Sequence, residues 1–310
     1  MTQTRVLFFG TSDFAVPALE RLAQDPSFSV IGVVTQPDRP VGRKAILTAP
    51  PIKHTAERLQ IPVFQFEKVK SDEAFDALKS LNFDLAVVAS FGQIIPQRVL
   101  DLAPRGFINI HGSILPKYRG ASPIAGAIKA GETETGITIM LMDALMDHGP
   151  ILAIARETIQ PDDTTTTLSA RLAQIGAETL IKTVVTFLSG DLKPQEQDHA
   201  SATSVKLLKR EDGLIDWTQN ATSIERTVRA YDPWPGTYTI VEGKRLKILS
   251  STVSSTTDRP VGSFFLADGQ LAVACGEGTS LVITRVQPEG KAPMSGVDFV
   301  RGHQALLSQT

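Results

Sequence analysis

The chain has 310 residues, 42% hydrophobic and 21% charged, with a formal net charge of -2. That length favours two domains, and the composition is that of a globular protein rather than a disordered or fibrous one. Near-neutrality excludes bulk electrostatic pull toward nucleic acid or anionic membrane, leaving only local basic patches, and the single cysteine, Cys275, excludes an internal disulfide and a Cys-based metal cluster and fits a reducing compartment.

The N-terminus MTQTRVLFFG enters a strand-like run almost at once. It lacks a basic n-region, a long apolar stretch and a small-residue cleavage site, which predicts no signal peptide. No run approaches the roughly 20 apolar residues of a membrane helix, so the expectation is a cytoplasmic protein without a membrane partner. RVLFFG (5–10) reads as a buried strand, followed by a helix over 13–22 and a strand SVIGVVTQ (29–36). Helices over 51–59 and 71–81 precede the strand DLAVVAS (84–90), a short helix after Pro96 and the strand FINIHGS (107–113). A helix after Ser122, strands TGITIMLM (135–142) and PILAIARETI (150–159), and a long helix over 165–188 complete this half. Strands alternating with helices predict βαβ units and an α/β fold with a mainly parallel sheet. Their near-continuous apolar character predicts burial on both faces.

From residue 189 the texture changes. SGDLKPQEQDHASATS is polar, without periodicity, and reads as a linker over 190–206. Beyond it a helix over 221–230 precedes five short β-rich runs, TYTIV, RLKILS, GSFFLA, LAVAC and SLVITRV, separated by glycine-rich turns. These predict a small β-barrel. The expected division is a catalytic domain over 1–189, the linker, and a second domain over 207–310.

The most informative stretch is INIHGSILPKYRGASPI, residues 108–124. Side chains at i and i+2 of a strand share a face, so Asn109 and His111 project together and Ile108 and Ile110 project oppositely. Open parallel sheets bind ligands beyond the carboxyl ends of their strands, and this pair stands at such an end, before Gly112. An amide beside an imidazole there is equipped for hydrogen bonding and proton transfer; the competing reading is a pair that merely satisfies a strand terminus. Gly112 and Gly120 allow close backbone approach, while Pro116 and Pro123 stiffen the loop. A second candidate is MDALMDHG (142–149), where Asp143 or Asp147 could form the turn or orient His111.

The ordered set FFGTSDFAVPAL (8–19), VVTQPDRPVGR (33–43), VVASFGQIIP (87–96), INIHGSILPKYRGASPI and ETGITIMLMDALMDHG (134–149) resembles the 10-formyltetrahydrofolate-dependent formyltransferases. KREDGLIDW (209–217), IERTVRAYDPWPGTYT (224–239) and VQPEGKAPMSGVDFVRG (286–302) extend the resemblance to both domains, toward members acting on charged initiator tRNA. It implies a Rossmann-like formyltransferase domain, a C-terminal OB-like β-barrel that binds tRNA, and a monomer. It also implies Asn109, His111 and Asp147 as catalytic residues. The donor 10-formyltetrahydrofolate would be held by Phe91, Gly92, Gln93, Ile94, Ile95 and by Ser113, Ile114, Leu115, Pro116, with no metal; the aliphatic members could instead simply pack. Phe91 stands where many relatives have Tyr. Arg43 aligns with a functional arginine of a tRNA-contacting loop, with Lys44 beside it, although Ala45 and Ile46 depart from the usual lysine-rich continuation. The turn departs too, with Leu145 for a common glycine and His148 added.

The second domain has eleven Lys+Arg against eleven Asp+Glu, so a tRNA groove must come from clustering, as at Lys244, Arg245 and Lys247. Arg229, Arg285, Lys291 and Arg301 are weaker candidates, and Trp217 and Trp234 read as packing residues. Two alternatives remain: an amino sugar-nucleotide formyltransferase, which shares the catalytic trio, and a non-catalytic folate- or RNA-binding descendant. A dinucleotide-dependent oxidoreductase is disfavoured because FFGTSDFA lacks G-x-G-x-x-G.

Overall fold

The computed structural model describes residues 3–42 and 45–308. In chain order its main elements are β1 (Thr4–Gly10), α1 (Val16–Gln24), β2 (Phe28–Thr35), β3 (Arg39–Val41), β4 (Ile46–Thr48), α2 (Pro51–Arg58), β5 (Val63–Gln65), α3 (Asp72–Ser80) and β6 (Leu85–Ala89). There follow α4 (Gln97–Leu100), β7 (Phe107–His111), β8 (Arg119–Gly120), α5 (Pro123–Ala130), β9 (Glu134–Leu141), β10 (Ile151–Thr158), α6 (Thr165–Ser189) and β11 (Ser204–Val205). The remainder comprises α7 (Ala221–Ala230), β12 (Thr237–Val241), β13 (Lys244–Val253), β14 (Phe264–Ala267), β15 (Gln270–Ala274), β16 (Ser280–Pro288), β17 (Met294–Ser295) and α8 (Gly296–Arg301).

Two compact units emerge. The first contains residues 1–123, 134–158 and 168–206, the second residues 124–133, 159–167 and 207–310. The first is built on a seven-stranded sheet of order β10-β9-β7-β6-β1-β2-β5. Pairing is parallel from β5 through β7, and antiparallel from β7 to β9 and β9 to β10. The antiparallel pairing of β10 with β9 follows from their connection: only a short turn joins them, and a parallel return would need a crossover of about a dozen residues or more.

One face of this sheet packs Leu7, Phe9, Ala86, Val88 and Phe107 with Leu78, Phe83 and Phe91. The Phe9 ring lies 5.3 Å from Phe91 and 5.4 Å from Phe107, centroid to centroid. On the other face Ile110 meets α6 at Gly176, where even a Cβ would come within 3.0 Å of the isoleucine. Local chemistry agrees with the elements: Ser71 caps α3 by accepting from the Ala74 amide, with Asp72 and Glu73 in the first turn and Lys79 in the last.

Residues 190–206 pack along this unit. Ile151 and Gln195 exchange backbone hydrogen bonds of 2.7 and 2.8 Å, and β11 pairs in parallel with β8. Such backbone pairing requires no apolar periodicity, so a sequence pattern that reads as linker is compatible with it.

The second unit carries an antiparallel sheet of order β12-β13-β16-β15-β14, with β17 added to β16. Its core gathers Leu246, Ile248, Leu271, Val273, Leu281, Ile283 and Val286 from the strands with Ile224 and Val228 of α7 and Phe299 of α8. The five expected strands are all present, and β17 and α8 are additions too short to show a period.

Candidate active site

β7 lies between β6 and β9, so the start of the chain's most informative stretch is central in the sheet rather than at an edge. Val88 registers with Asn109, which faces Met140 across the β9 side, and His111 faces Thr138. Ile108 and Ile110 are buried, which leaves Asn109 and His111 together on the opposite side. His111 is 5% exposed.

The His111 Nε2 atom lies 2.9 Å from the Tyr118 carbonyl oxygen. A carbonyl only accepts, so this nitrogen carries a proton. The other ring nitrogen, Nδ1, lies 3.5 Å from Oδ1 of Asp147. Asn109 Nδ2 donates to the same Oδ1 at 3.3 Å, and the Gly120 amide donates to Oδ2 at 2.7 Å. Two segments, β7 and β8, thus bring three groups to one carboxylate, and the trio read from the sequence is brought together. Asp143 is engaged otherwise: it accepts from the Leu145 amide at 2.9 Å and lies 2.6 Å from His148 Nδ1.

Asp147 has a left-handed backbone, φ +51°, at a cost of about 1 kcal/mol for a non-glycine residue. The turn returns to the sheet through Gly149, where a Cβ would stand 2.0 Å from the Leu141 carbonyl oxygen. Gly120, at φ +108°, likewise has room for no side chain, since a Cβ would lie 2.3 Å from the Val205 oxygen. Gln197, only 5% exposed, donates through Nε2 to the carbonyl oxygens of Asp147 at 2.9 Å and Gly149 at 2.7 Å. No residue pattern flags Gln197, because it sits in the polar stretch after α6.

The loop after β7 is internally fixed. Ser113 Oγ donates to the Lys117 oxygen at 2.7 Å, Thr138 Oγ1 donates to the Ser113 oxygen at 2.7 Å, and the Leu115 amide donates to Thr138 Oγ1 at 3.0 Å. Leu115 is buried, with Ile114 and Pro116 partly accessible.

After β6, Phe91 and Ile95 are core residues. The Phe91 carbonyl accepts from Thr11 Oγ1 at 2.8 Å and Gln36 Nε2 at 3.2 Å. The Gln93 side chain is spent on structure, accepting from the Val69 amide at 2.7 Å and donating to the Phe66 oxygen at 3.0 Å. Gly92 adopts φ +83°, while Ile94 is 73% exposed and free to cover a flat ligand.

Arg43 and Lys44 lie outside the described residues. The hairpin β3–β4 that flanks them is anchored at Asp38, which lies 2.8 and 3.0 Å from Lys53 Nζ and accepts from Gln65 at 2.7 Å. The Lys53 bond, then the Gln65 bond, holds the Asp38 carboxyl below its ordinary range.

In the second unit, alternation along β13 puts Arg245 and Lys247 on one face and Leu246 and Ile248 in the core. Lys244 falls on the other alternation, at the exposed start of the strand. The Arg245 guanidinium lies 4.0 Å from the Tyr238 ring centroid, and Tyr238 registers with Lys247. Arg229 is committed to structure, bonding Glu225 at 2.6 and 3.1 Å and the Asp163 oxygen at 2.8 Å. Arg301 pairs with Asp298, and Arg285 and Lys291 are exposed. Trp217 packs on the core as expected. Trp234 does not: it is 57% exposed, with proline on either side confining its backbone.

Among the described residues, no three His, Cys, Asp or Glu side chains are grouped to hold a metal ion, and no helix is long and apolar enough to cross a membrane.

The trio stands at a strand end of an α/β sheet, and comparison with known proteins gives the class, a group-transferring enzyme. A family model described as formyl transferase matches residues 4–184, and a second, formyl transferase C-terminal domain, matches residues 207–304. The chain belongs to the formyl transferase family, on its methionyl-tRNA formyltransferase branch. It is 49% identical to the methionyl-tRNA formyltransferase of Roseiflexus sp. (strain RS-1) over 301 residues, covering 96% of this chain and 92% of the relative. It is 43% identical to that of Chloroflexus aggregans (strain MD-66 / DSM 9485) over 304 residues, covering 97% and 98%. Among solved structures, an N-formyltransferase from Helicobacter canadensis in complex with folinic acid and dTDP-3-aminofucose aligns with a TM-score of 0.67, covering 93% of this chain and all of that one. At 18% identity that likeness is one of fold.

Proposed function

We propose that the chain transfers the formyl group of 10-formyltetrahydrofolate to the α-amino group of methionyl-initiator tRNA, giving N-formylmethionyl-tRNA for translation initiation. The observation that carries this reading is the convergence of Asn109 and His111 on Asp147 at the ligand-binding end of the sheet, in a chain about half identical to relatives named for this reaction.

The methionyl amine, as free base, attacks the formyl carbon carried on N10 of the folate. A C–N bond forms, and negative charge collects on the formyl oxygen. Asn109 and His111 stabilise that oxygen, the role of an oxyanion hole. The intermediate collapses by breaking the bond to N10, while the amine loses a proton and N10 gains one. Asp147 orients His111 and assists that proton transfer. The loop of Phe91, Gly92, Gln93, Ile94 and Ile95 and the stretch Ser113, Ile114, Leu115, Pro116 hold the pterin, with backbone groups on its edge and the exposed Ile94 over its face.

The acceptor end of the tRNA meets Arg43 and Lys44, and Lys244, Arg245 and Lys247 contact backbone phosphate. The antiparallel sheet supports an OB-like barrel for the domain over 207–310, following the catalytic domain over 1–189 and the connecting stretch over 190–206. The enzyme works as a cytoplasmic monomer without a metal.

One assay tests the reading. Purified protein is offered 10-formyltetrahydrofolate with charged initiator tRNA and, in parallel, with amino sugar nucleotides, and formyl incorporation is followed. Incorporation into the tRNA alone is expected. Formylation of only the sugar would refute the tRNA assignment, and folate binding without incorporation would favour a non-catalytic descendant.

A further inference from the structure

Asp147 sits in a turn whose internal bonds join Asp143 to the Leu145 amide and to His148, while its own carbonyl accepts from outside the turn. Its backbone is left-handed at φ +51°, the tip residues Leu145 and Met146 project into solvent, and the chain must still deliver a carboxylate to within hydrogen-bond range of Asn109. The bracing comes from elsewhere in the sequence. Gln197 is buried, and its amide is used in full: the NH₂ group donates to the oxygens of Asp147 and Gly149, which flank His148. Its Oε1 accepts from Arg119, at 3.2 Å from Nε and 2.6 Å from a terminal guanidinium nitrogen.

Carbonyls at one end and a guanidinium at the other leave a single orientation for this side chain. The His148 and His199 rings are stacked, 4.0 Å apart and 3° from parallel. The same Arg119 nitrogen lies 2.9 Å from His199 Nδ1. Arg119 is in turn part of the strand beside Gly120, whose amide holds Asp147 Oδ2.

We infer that Gln197 is a positioning residue for catalysis: it fixes the turn so that Asp147 reaches Asn109 and His111. The inference rests on the proposed role of Asp147. It assigns a function to the 190–206 stretch, which in sequence is merely a connection.

The test compares Gln197→Leu, Gln197→Glu and Asp147→Asn in the full-length enzyme with formyl donor and charged tRNA. Leu removes both donors; Glu keeps the Arg119 pairing but places a carboxylate against two carbonyls. A displacement on the order of 1 Å can cost about 10²-fold in rate, so both Gln197 variants should lose roughly 10- to 100-fold in kcat. KM for both substrates should stay within about threefold of wild type, because the brace holds a reacting group and not a binding surface. The His111 ring NMR signals should shift in both variants even where the melting temperature does not.

Near-normal kcat in a folded Gln197 variant, with Asp147→Asn inactive, would overturn the inference and leave the proposed function intact. A loss in KM matching or exceeding that in kcat would also overturn it, marking Gln197 as part of a binding surface. Near-normal turnover in Asp147→Asn would instead sink the catalytic assignment itself. Should Gln197→Leu fail to fold, Gln197→Glu, which keeps a carboxylate oxygen as acceptor for Arg119, decides the matter on the same readouts.

Discussion

The turn over 142–150 and the strand β13 carry the two sets of residues to which different tasks are proposed, and they are built in opposite ways. The turn offers one carboxylate whose oxygens face the Asn109 amide, the His111 ring and the Gly120 amide, and its backbone is clamped by Gln197. On β13, Lys244 and Lys247 stand exposed and Arg245 rests on the Tyr238 ring. Bond making requires atoms placed to within a fraction of an ångström. Contact with a phosphate backbone requires charge and reach, and a mobile lysine supplies both. The difference teaches that, on the proposed roles, fixity belongs to the reacting group and exposure to the phosphate contacts.

The sharpest way to break that contrast is at Asp147. Asp147→Asn should lose more than about 10³-fold in kcat, since the amide keeps the shape but neither carries the charge nor takes the proton; single-turnover formylation measures it. Asn109→Ala should cost about 10²–10³-fold, the usual consequence of losing one oxyanion donor, with the melting temperature little changed. Near-normal turnover in either folded variant would refute the assignment.

On β13 the expected losses are smaller and of another kind. The double variant Arg245→Ala, Lys247→Ala should weaken tRNA binding roughly tenfold and flatten the dependence of log K on log salt by about 0.7–0.9 per lost phosphate contact. Its kcat at saturating tRNA should be unchanged. A kcat defect there would erase the distinction between the two regions.

The smallest effect belongs to the hairpin base. Hydrogen bonds from Lys53 and Gln65 hold the Asp38 carboxyl below its ordinary range. Its contribution to stability is therefore complete above the unfolded value, near pH 4, and is lost as the pH falls through the depressed folded value. Asp38→Asn should flatten the melting temperature against pH between about pH 5 and pH 2, as read by calorimetry.

Much of the fold is written locally. The alternation of apolar strands and helices announces the α/β sheet, and the later run of short strands announces a second β unit. What escapes a linear reading is short or non-local. The strands β3, β4, β5, β8, β11 and β17 have two or three residues each, too few for a period of two to show. The reversal at β9 depends on which neighbour the strand finds. Trp234 reads as a packing residue because tryptophan usually is one, yet its place in the tertiary structure leaves it mostly in solvent.

The site divides along the same line. Asn109 and His111 are paired by the sequence alone, because a strand returns side chains to the same face every second residue. Asp143 and Asp147 stand four residues apart in one turn, and spacing does not choose between them. Tertiary structure decides: the loop geometry sends Asp143 to His148 and Asp147 toward His111. Gln197 is still less legible, fifty residues beyond the carboxylate whose backbone it grips and in a stretch without pattern. Covalent neighbours set local conformation, so strands and shared faces can be read from the chain. A carboxylate in a left-handed turn is held by hydrogen bonds from distant segments, and those exist only once the chain has folded.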